Sequence, residues 1–236
     1  MRQHLISIEY GELAVVADLH LRPDSGAEVD CFVAELAGLH HRHCLVVLGD
    51  LFDAWIGPGG FEEGHFPKLS HAISDFVAKG GRAILVRGNR DMLMSPSDGL
   101  PLRLELADGV LLGSAGSATL LVHGDQFCIH DRGYQLLRSI LRCWPIRVFL
   151  RALPYSTRRW LAARMRANST SSVARKPLDQ LSLVDSAIED ECIAKGANKV
   201  VIGHLHQAQI RELGMGIELE VLPAWEPGAK LRYFKV

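Results

Sequence analysis

Five apolar segments of this chain each end at residues that can bind a metal ion. The segments are LAVVA, CLVVLG, RAILVRG, TLLV and NKVVIG. The residues that follow them are Asp18 and His20, Asp50, Asn89, His123, and His204 and His206. Short apolar runs rich in β-branched residues predict buried strands, and in open α/β sheets ligands gather beyond the carboxyl ends of the strands. The sequence therefore predicts one shared site at the end of a sheet.

Strands and helices are predicted to alternate along the chain. The predicted strands cover residues 13–21, 44–50, 82–89, 119–125 and 198–206. Helices are predicted over residues 27–40 and 67–79, where apolar residues recur at helical spacing. This alternation favours an α/β architecture. Trp55, which follows the second strand closely, is expected to be exposed.

One segment differs from the rest of the chain in its charge. Residues 132–178 contain ten Arg and Lys176 but no Asp or Glu, so the remainder carries 15 basic residues against all 27 acidic ones. Prolines divide this segment, and a helix is predicted over 157–167 with Ser156 as its N-cap. We expect one domain over residues 1–236, with a helical lid inserted over about 132–178.

The composition limits where this chain works. Its five cysteines are scattered and form no C-x-x-C pair, which indicates reduced thiols in the cytoplasm. Neither a signal peptide nor an apolar run of roughly 18 residues is found, so membrane contact is expected only from the surface. A net charge of −1 gives no general indication of nucleic-acid binding, and nothing indicates an obligate protein partner.

The donors at the strand ends predict two metal ions. Because residues two apart on a strand share a face, Asp18 and His20 are expected to point together, as are His204 and His206. Three oxygen donors and four imidazoles are more ligands than one four-coordinate ion can bind. The mixture of oxygen and nitrogen donors suits Mn, Fe or Zn better than Mg or Ca. Two ions about 3.5–4 Å apart lower the pKa of a bridging water that attacks a phosphate ester. Each motif alone is common in turns, so their order carries the prediction.

The motifs D-x-H, GD-x-x-D, GN-R-D, a GH segment and GH-x-H resemble those of the calcineurin-like metallophosphoesterases over residues 13–206. The resemblance implies a two-sheet β-sandwich flanked by helices, a four-layer αββα fold, and two divalent ions, most often Mn²⁺. It implies that one ion is held by Asp18, His20, Asp50 and His206, and the other by Asp50, Asn89, His123 and His204. It also implies catalytic roles for Asp50, Asn89, Arg90, His123 and His204. Asp53 would support the site without binding metal.

Several longer stretches, GDLFDAWIG, GNRDML, HGDQFCIHD and ARMRANS, resemble the bacterial UDP-2,3-diacylglucosamine diphosphatases of lipid A synthesis. That resemblance implies attack by water on the α-phosphorus of a UDP-linked diacylated glucosamine lipid, giving UMP and 2,3-diacylglucosamine 1-phosphate. The implied substrate contacts are Asn89, Arg90, Asp131, Tyr134, Arg166, Asn168, Ser169, Lys176 and His204. Departures from the family pattern at His130, Val173 and Leu205 leave the exact substrate open.

The lid interleaves arginines with leucines and tryptophans. Such an amphipathic segment can lie against anionic lipid, here the inner face of the inner membrane, and can wall a cavity for acyl chains. We expect peripheral association that weakens with salt. The apolar residues could instead pack the lid onto the core, and nucleic-acid binding fits their abundance less well. Two other functions stay open, a phosphoesterase with another, nucleotide-type substrate and a non-catalytic scaffold. A scaffold would be expected to have lost metal ligands, whereas every ligand position is filled here.

Overall fold

Two β-sheets form the centre of the computed structural model, which describes residues 3–9, 11–99, 103–114, 116–173 and 182–235, without the side chains of 168–173. One sheet has six strands in the order β1-β6-β7-β8-β10-β9, and the other has five in the order β11-β2-β3-β4-β5. The strands are β1 Leu5–Ile8, β2 Glu12–Val16, β3 Cys44–Leu48, β4 Arg82–Val86, β5 Glu105–Ala107, β6 Gly109–Leu112, β7 Ala118–Leu121, β8 Ala197–Ile202, β9 Gln209–Glu212, β10 Glu218–Val221 and β11 Arg232–Lys235.

Both sheets mix parallel and antiparallel pairs. Strands β2 to β5 run parallel, and β11 joins β2 in the antiparallel sense at the edge. In the six-stranded sheet β7, β8 and β10 are parallel, while β9 closes one edge in the antiparallel sense. The carboxyl ends of the parallel strands therefore meet at one rim of each sheet, where the predicted ligands follow.

Alternation along each strand divides its apolar residues between a core that lies between the two sheets and a core under the helices on the outer face of its sheet. In β3, Val46 and Leu48 face the other sheet, whereas Leu45 and Val47 face helices. Strands buried on both faces read as continuous apolar runs, as observed here.

Helices cover the outer faces of both sheets. Helices α1 Gly26–Gly38 and α2 Phe66–Ala78 cover the five-stranded sheet, and α7 Asp185–Lys195 covers the six-stranded one. The result is a four-layer α/β/β/α sandwich, as expected from the sequence. A short helix, α3, spans Pro96–Gly99, and single 3-10 turns span Gly60–Glu62, Asp125–Phe127 and Gly214–Gly216.

The strands end earlier than predicted. Strand β2 ends at Val16, so Asp18 and His20 lie in the loop after it. Strand β8 ends at Ile202, so His204 and His206 also lie in a loop. The strand geometry expected to align each Asp-x-His or His-x-His pair is therefore wrong. The physical reason is the backbone, since Asp18 has a φ of 54° and His20 a φ of 48°. Both values belong to the left-handed region and are incompatible with a strand.

In the described part of the basic segment, which ends at residue 173, there are three helices, α4 Arg132–Arg142, α5 Trp144–Ala152 and α6 Tyr155–Val173. The helix predicted over 157–167 exists but is longer. Ser156 lies inside it and is not its N-cap, because the helix begins at Tyr155, directly after Pro154. Among the residues that the structure describes, no helix is both long and apolar enough to cross a membrane.

The arginines of these helices turn mainly toward the core. Arg138 pairs with Asp125 at 2.7 Å and Arg142 with Asp108 at 3.3 Å. Further contacts join Arg151 to Asp98, Arg158 to the carbonyls of Ile56 and Pro58, Arg159 to Glu63, and Arg166 to Asp53. Most of the described arginines of these helices therefore contact groups of the core, and membrane contact through the basic lid stays a prediction. Since the segment has no acids and the core has an excess, its cations find their partners across that interface.

Apolar side chains of the same helices face outward instead. Leu136, Trp144, Phe149 and Trp160 are between 61% and 72% exposed. The alternative that these residues pack the lid onto the core is therefore wrong for this group. The outer surface of α4 and α5, with Ile140 and Val148 also exposed, is apolar.

Candidate active site

Loops from both sheets bring buried acids and imidazoles together. Asp18, Asp50 and His123 are each at most 2% exposed, and one donor atom from each lies within 4.8 Å of the others. Asp18, His20 and His206 form a second such group. The Nε2 atom of His123 is 3.7 Å from Asp50 Oδ1, and that of His206 is 3.6 Å from Asp18 Oδ1. Residues far apart in the sequence therefore share one centre.

The backbone of these loops is unusual. Five predicted ligands have left-handed backbone with φ between 48° and 66°, namely Asp18, His20, Asp50, His204 and His206. Such residues cost about 1–3 kcal/mol each and persist only where the surroundings fix them. Here the amide of His20 donates to the carbonyl of Asp50 at 2.8 Å, and the amide of Asp18 to that of Gly49 at 3.2 Å. The sharp turns direct these side chains toward the centre. A strand could not do so, because its backbone does not adopt the left-handed conformation.

Glycines allow the ligand loops to approach closely. A Cβ atom on Gly49 would lie under 3.0 Å from the ring of His123, and one on Gly88 would lie as near to Asp50. A Cβ atom on Gly203 would crowd the Asp18 carboxylate in the same way. Real Cβ contacts essentially never fall below 3.0 Å. The glycine in each GD, GN and GH motif is therefore required by packing at the centre.

Hydrogen bonds hold the donors in position. His123 Nδ1 donates to the carbonyl of Leu48 at 2.9 Å, which leaves Nε2 facing Asn89 Oδ1 at 3.0 Å. A second partner of this kind fixes the tautomer of a metal-binding imidazole. The amide of His204 donates to Asp18 Oδ2 at 2.7 Å, and its ring lies edge-on to His123 with centroids 5.0 Å apart.

Two buried aspartates support this centre and were not among the predicted site residues. Asp91 accepts hydrogen bonds from the amides of Leu51 and Phe52 at 3.1 and 3.3 Å, and so fixes the turn after Asp50. Asp125 accepts from the Tyr134 hydroxyl and from Arg138 Nε at 2.7 Å. Each aspartate follows a predicted ligand by two residues, in GNRD and HGD, and that shared spacing was a readable signal.

The electrostatics of the centre call for added positive charge. Burial, with the nearby charge of Asp18, raises the pKa of Asp50 to about 6. Burial acts to lower the pKa of His123, but the carboxylates of Asp50 and Asp18 raise it to about 9. Burial lowers the pKa of His20 and of His204 to about 4. A hydrogen bond to Asp18 also raises the pKa of His206, so the carboxylates favour protonated His123 and His206, whereas His20 and His204 are neutral donors.

The donors fit divalent cations. Asp18 Oδ1 is buried and has no hydrogen-bond partner in the described part of the chain, and the Nε2 atoms of His20 and His206 face each other at 3.1 Å. An imidazole nitrogen pair and a carboxylate oxygen left without a partner make a first position for an ion. Asp50, His123 and Asn89 offer the donors of a second. Asp18 belongs to both groups by distance, whereas the resemblance assigns the shared position to Asp50.

The predicted substrate contacts fall at different distances from this centre. Arg90 joins it, with its amide 2.8 Å from Asp50 Oδ1 and its Nε 4.0 Å from Asp50 Oδ2. Asp131 caps α4 by accepting from the Tyr134 amide at 3.0 Å, and Tyr134 reaches Asp125. Arg166 contacts Asp53. The side chains of Asn168 and Ser169, and all of Lys176, lie outside the described residues.

A cavity of about 1090 Å³ opens between α6 and the loop after β3. Its lining includes Asp53, Trp55, Phe66, Ala163 and Arg166. The expectation that Trp55 is exposed is wrong, because its ring is 4% exposed and packs on Phe52 and Phe61. The cavity joins the second ligand loop to the lid, and its lining is mainly apolar.

Comparisons with known proteins agree on the family. The sequence profile of the calcineurin-like phosphoesterases matches residues 12–208. A protein named UDP-2,3-diacylglucosamine hydrolase from Salmonella paratyphi C (strain RKS4594) is 34% identical over 219 residues, which cover 89% of each chain. One of the same name from Salmonella choleraesuis (strain SC-B67) has the same identity and coverage.

Among solved structures, phosphopantetheinyl hydrolase from Mycobacterium tuberculosis aligns with 95% of this chain and 96% of its own, with 13% identity and a TM-score of 0.45. Vps29 from Chaetomium thermophilum aligns with 94% of this chain and 75% of its own, with 10% identity and a TM-score of 0.45. Likenesses at this level carry no argument about function.

Proposed function

Because this chain belongs to the calcineurin-like phosphoesterase family and is a metal-binding hydrolase, we propose that it hydrolyses the pyrophosphate bond of UDP-2,3-diacylglucosamine. The products would be UMP and 2,3-diacylglucosamine 1-phosphate, in lipid A biosynthesis. The observation that carries the reaction class is the convergence of Asp18, Asp50 and His123 with His20 and His206. The name of the relatives at 34% identity over 89% of both chains supports the substrate.

Two divalent ions, which we propose to be Mn²⁺, would supply positive charge against the phosphoryl oxygens and a water of lowered pKa. Hydrogen bonds from the chain itself would hold the proposed metal ligands in position. The Arg90 amide fixes Asp50, and the Leu48 carbonyl orients His123. The proposed ligands of the two ions are Asp18, His20, Asp50, Asn89, His123, His204 and His206.

Arg90 is proposed to hold the pyrophosphate. Its side chain is 27% exposed at the edge of the centre, and its Nε has no hydrogen-bond partner among the described residues. A guanidinium binds two phosphate oxygens at once, which fixes the phosphorus relative to the attacking water. Asn89, one residue earlier, would present its amide to the same group.

The remainder of the substrate is proposed to extend under the lid. The cavity beside Trp55 and Ala163 has the volume and apolar lining that an acyl chain requires. Arg166 lines this cavity, and we propose that it contacts the uridyl or sugar end of the substrate. Asn168, Ser169, Lys176, Asp131, Tyr134 and His204 are proposed to contact the same end of the substrate.

We also propose that the protein works in the cytoplasm, on the inner face of the inner membrane, through the apolar outer surface of α4 and α5. Since the described lid arginines mostly contact core groups, apolar insertion should contribute more than surface charge. Pelleting with vesicles at rising salt measures the balance. Complete release at moderate salt would contradict an apolar contribution.

The test of the reaction is analysis of products by mass spectrometry in ¹⁸O-labelled water with Mn²⁺. We expect one ¹⁸O atom in UMP, because attack is proposed at the α-phosphorus. Label in the sugar phosphate would instead place attack at the β-phosphorus. A parallel assay uses a generic aryl phosphodiester. Strong activity there without UMP release from the lipid would replace this substrate by another phosphodiester.

A further inference from the structure

Two arginines contact Asp108 at the corner between α4 and α5, and a third, Arg147, lies near enough to interact electrostatically with Arg87 and Asp108. Asp108, between β5 and β6, accepts from Arg87 Nη2 at 2.8 Å, and Arg142 Nη1 lies 3.3 Å from the same oxygen. The other carboxylate oxygen of Asp108 accepts from the amide of His4 at 2.8 Å. Arg147, on α5, donates to the carbonyl of Met94 at 3.0 Å. We call these four side chains, Arg87, Asp108, Arg142 and Arg147, the arginine cluster.

The arginine cluster has more positive than negative charge. Arg87 and Arg142 share the carboxylate of Asp108, and Arg147 has no carboxylate oxygen within 4.0 Å in the described part of the chain. The nearest acids are already paired. Asp125 is held by Arg138, and Asp98 by Arg151, Trp55 and the amide of Ser95. The excess is therefore two positive charges.

This excess is poorly solvated. The side chain of Arg87 is 11% exposed and that of Arg142 is 16% exposed. The Nε atoms of Arg87 and Arg147 are buried and have no hydrogen-bond partner among the residues described. Burial, followed by the charge of Arg87, lowers the pKa of Arg147. One carboxylate cannot neutralise two guanidiniums at such burial, and uncompensated buried charge is costly, so a counter-ion is strongly favoured.

We propose that the arginine cluster is a binding site for a phosphate group, separate from the metal centre and not needed for the chemistry of the proposed hydrolysis. Guanidinium forks match phosphate oxygens, and an excess of two positive charges matches a phosphate dianion. Trp144, which stands between Arg142 and Arg147 in the sequence, is 72% exposed. The phosphate therefore comes either from free inorganic phosphate or from a phospholipid headgroup at that corner.

The test is isothermal titration of the metal-stripped full-length protein with inorganic phosphate at low ionic strength. Arg147→Gln is expected to bind phosphate at least tenfold more weakly than the wild type, because one charged donor is lost. Arg159→Gln is the matched control, since it removes the same charge from an exposed lid arginine. Arg90→Gln separates this site from the metal centre. Both controls should bind phosphate at the cluster as the wild type does.

Thermal unfolding distinguishes an anion site from a structural ion-pair network. Without phosphate, Arg147→Gln should be at least as stable as the wild type, because it relieves repulsion among like charges. A purely structural role predicts a less stable variant with unchanged phosphate affinity, and that result would overturn the proposal. Equal weakening in Arg159→Gln and Arg147→Gln would also overturn it, because binding would then be non-specific.

Vesicles distinguish the two sources of phosphate. If inorganic phosphate does not bind, but phosphatidylglycerol vesicles bind the wild type at least tenfold better than Arg147→Gln, the ligand is a headgroup phosphate. Phosphatidylcholine vesicles, which have no net charge, are the control and should not distinguish the two proteins. Absence of an Arg147-dependent difference with both ligands would refute the site.

Discussion

Asp125→Asn should destabilise the protein by about 2–3 kcal/mol, although Asp125 is predicted neither to bind metal nor to contact substrate. Removing one partner of a buried ion pair costs about 3–5 kcal/mol, because the other charge stays buried. Arg138 is 17% exposed, so water solvates part of its charge and the cost falls below that range. Asn keeps an oxygen that can still accept one of the two hydrogen bonds from Tyr134 and Arg138.

Equilibrium unfolding in urea, followed by circular dichroism, measures this loss. The double variant Asp125→Asn with Arg138→Gln completes a mutant cycle, and we expect a coupling energy of about 1–3 kcal/mol. Arg159→Gln is the control, because the exposed pair of Arg159 with Glu63 should contribute at most about 0.5 kcal/mol. Additive effects, or a loss below 0.5 kcal/mol in Asp125→Asn, would refute the role assigned to this pair.

The same pair predicts a pH dependence. Burial acts to raise the pKa of Asp125, but Arg138 and the nearby histidines hold it below its ordinary value of 3.8. A lowered pKa in the folded state means that the stabilisation is complete above the ordinary value and is lost as pH falls through the folded value. The difference in stability between wild type and Asp125→Asn should therefore stay constant from neutral pH down to about 4. A difference that shrinks already between pH 7 and 5 would contradict the assignment.

Four further predictions concern the metal centre and the lid. Asp50→Ala should lower kcat by about a thousandfold or more while unfolding remains cooperative, because both proposed ions lose a ligand. Gly88→Ala should reduce metal binding measured by calorimetry, since its Cβ would meet Asp50, whereas Gly38→Ala, with open space around it, should not. Metal affinity should rise between about pH 6 and 9 with release of protons, because His123 and Asp50 must lose protons to bind; a flat profile by calorimetry would contradict this. Arg166→Ala should raise KM more than it lowers kcat, and an unchanged KM would remove Arg166 from the substrate contacts.

Much of the fold could be predicted because its signals are local. The apolar runs that became β3 and β4 are bounded by charged residues and glycines, and buried parallel strands have that composition. The positions of the donors after those strands were also readable. How they converge was not, because the left-handed turns at Asp18 and His204 follow from contacts with loops distant in the sequence.

The supporting residues were harder to read. Asp91 and Asp125 look like turn acids in the sequence, and only the tertiary structure shows which amides and arginines they accept from. The direction in which the lid arginines point could not be predicted for the same reason. Helical periodicity shows that α4 has two faces, but the partner of each face depends on acids such as Asp108 in another part of the chain.

The inward-facing arginines have a consequence for modular engineering of this scaffold. Helices α4 and α5 provide the arginines that pair with Asp98 and Asp125 and one of the two that pair with Asp108, so removing these helices would take away the arginine partners of Asp98 and Asp125. Grafting the same helices onto a related sandwich would, conversely, carry arginines without acids to receive them. Exchange of the lid between homologues should succeed only when the aspartates that pair with its arginines, Asp98, Asp108 and Asp125, are transferred with it.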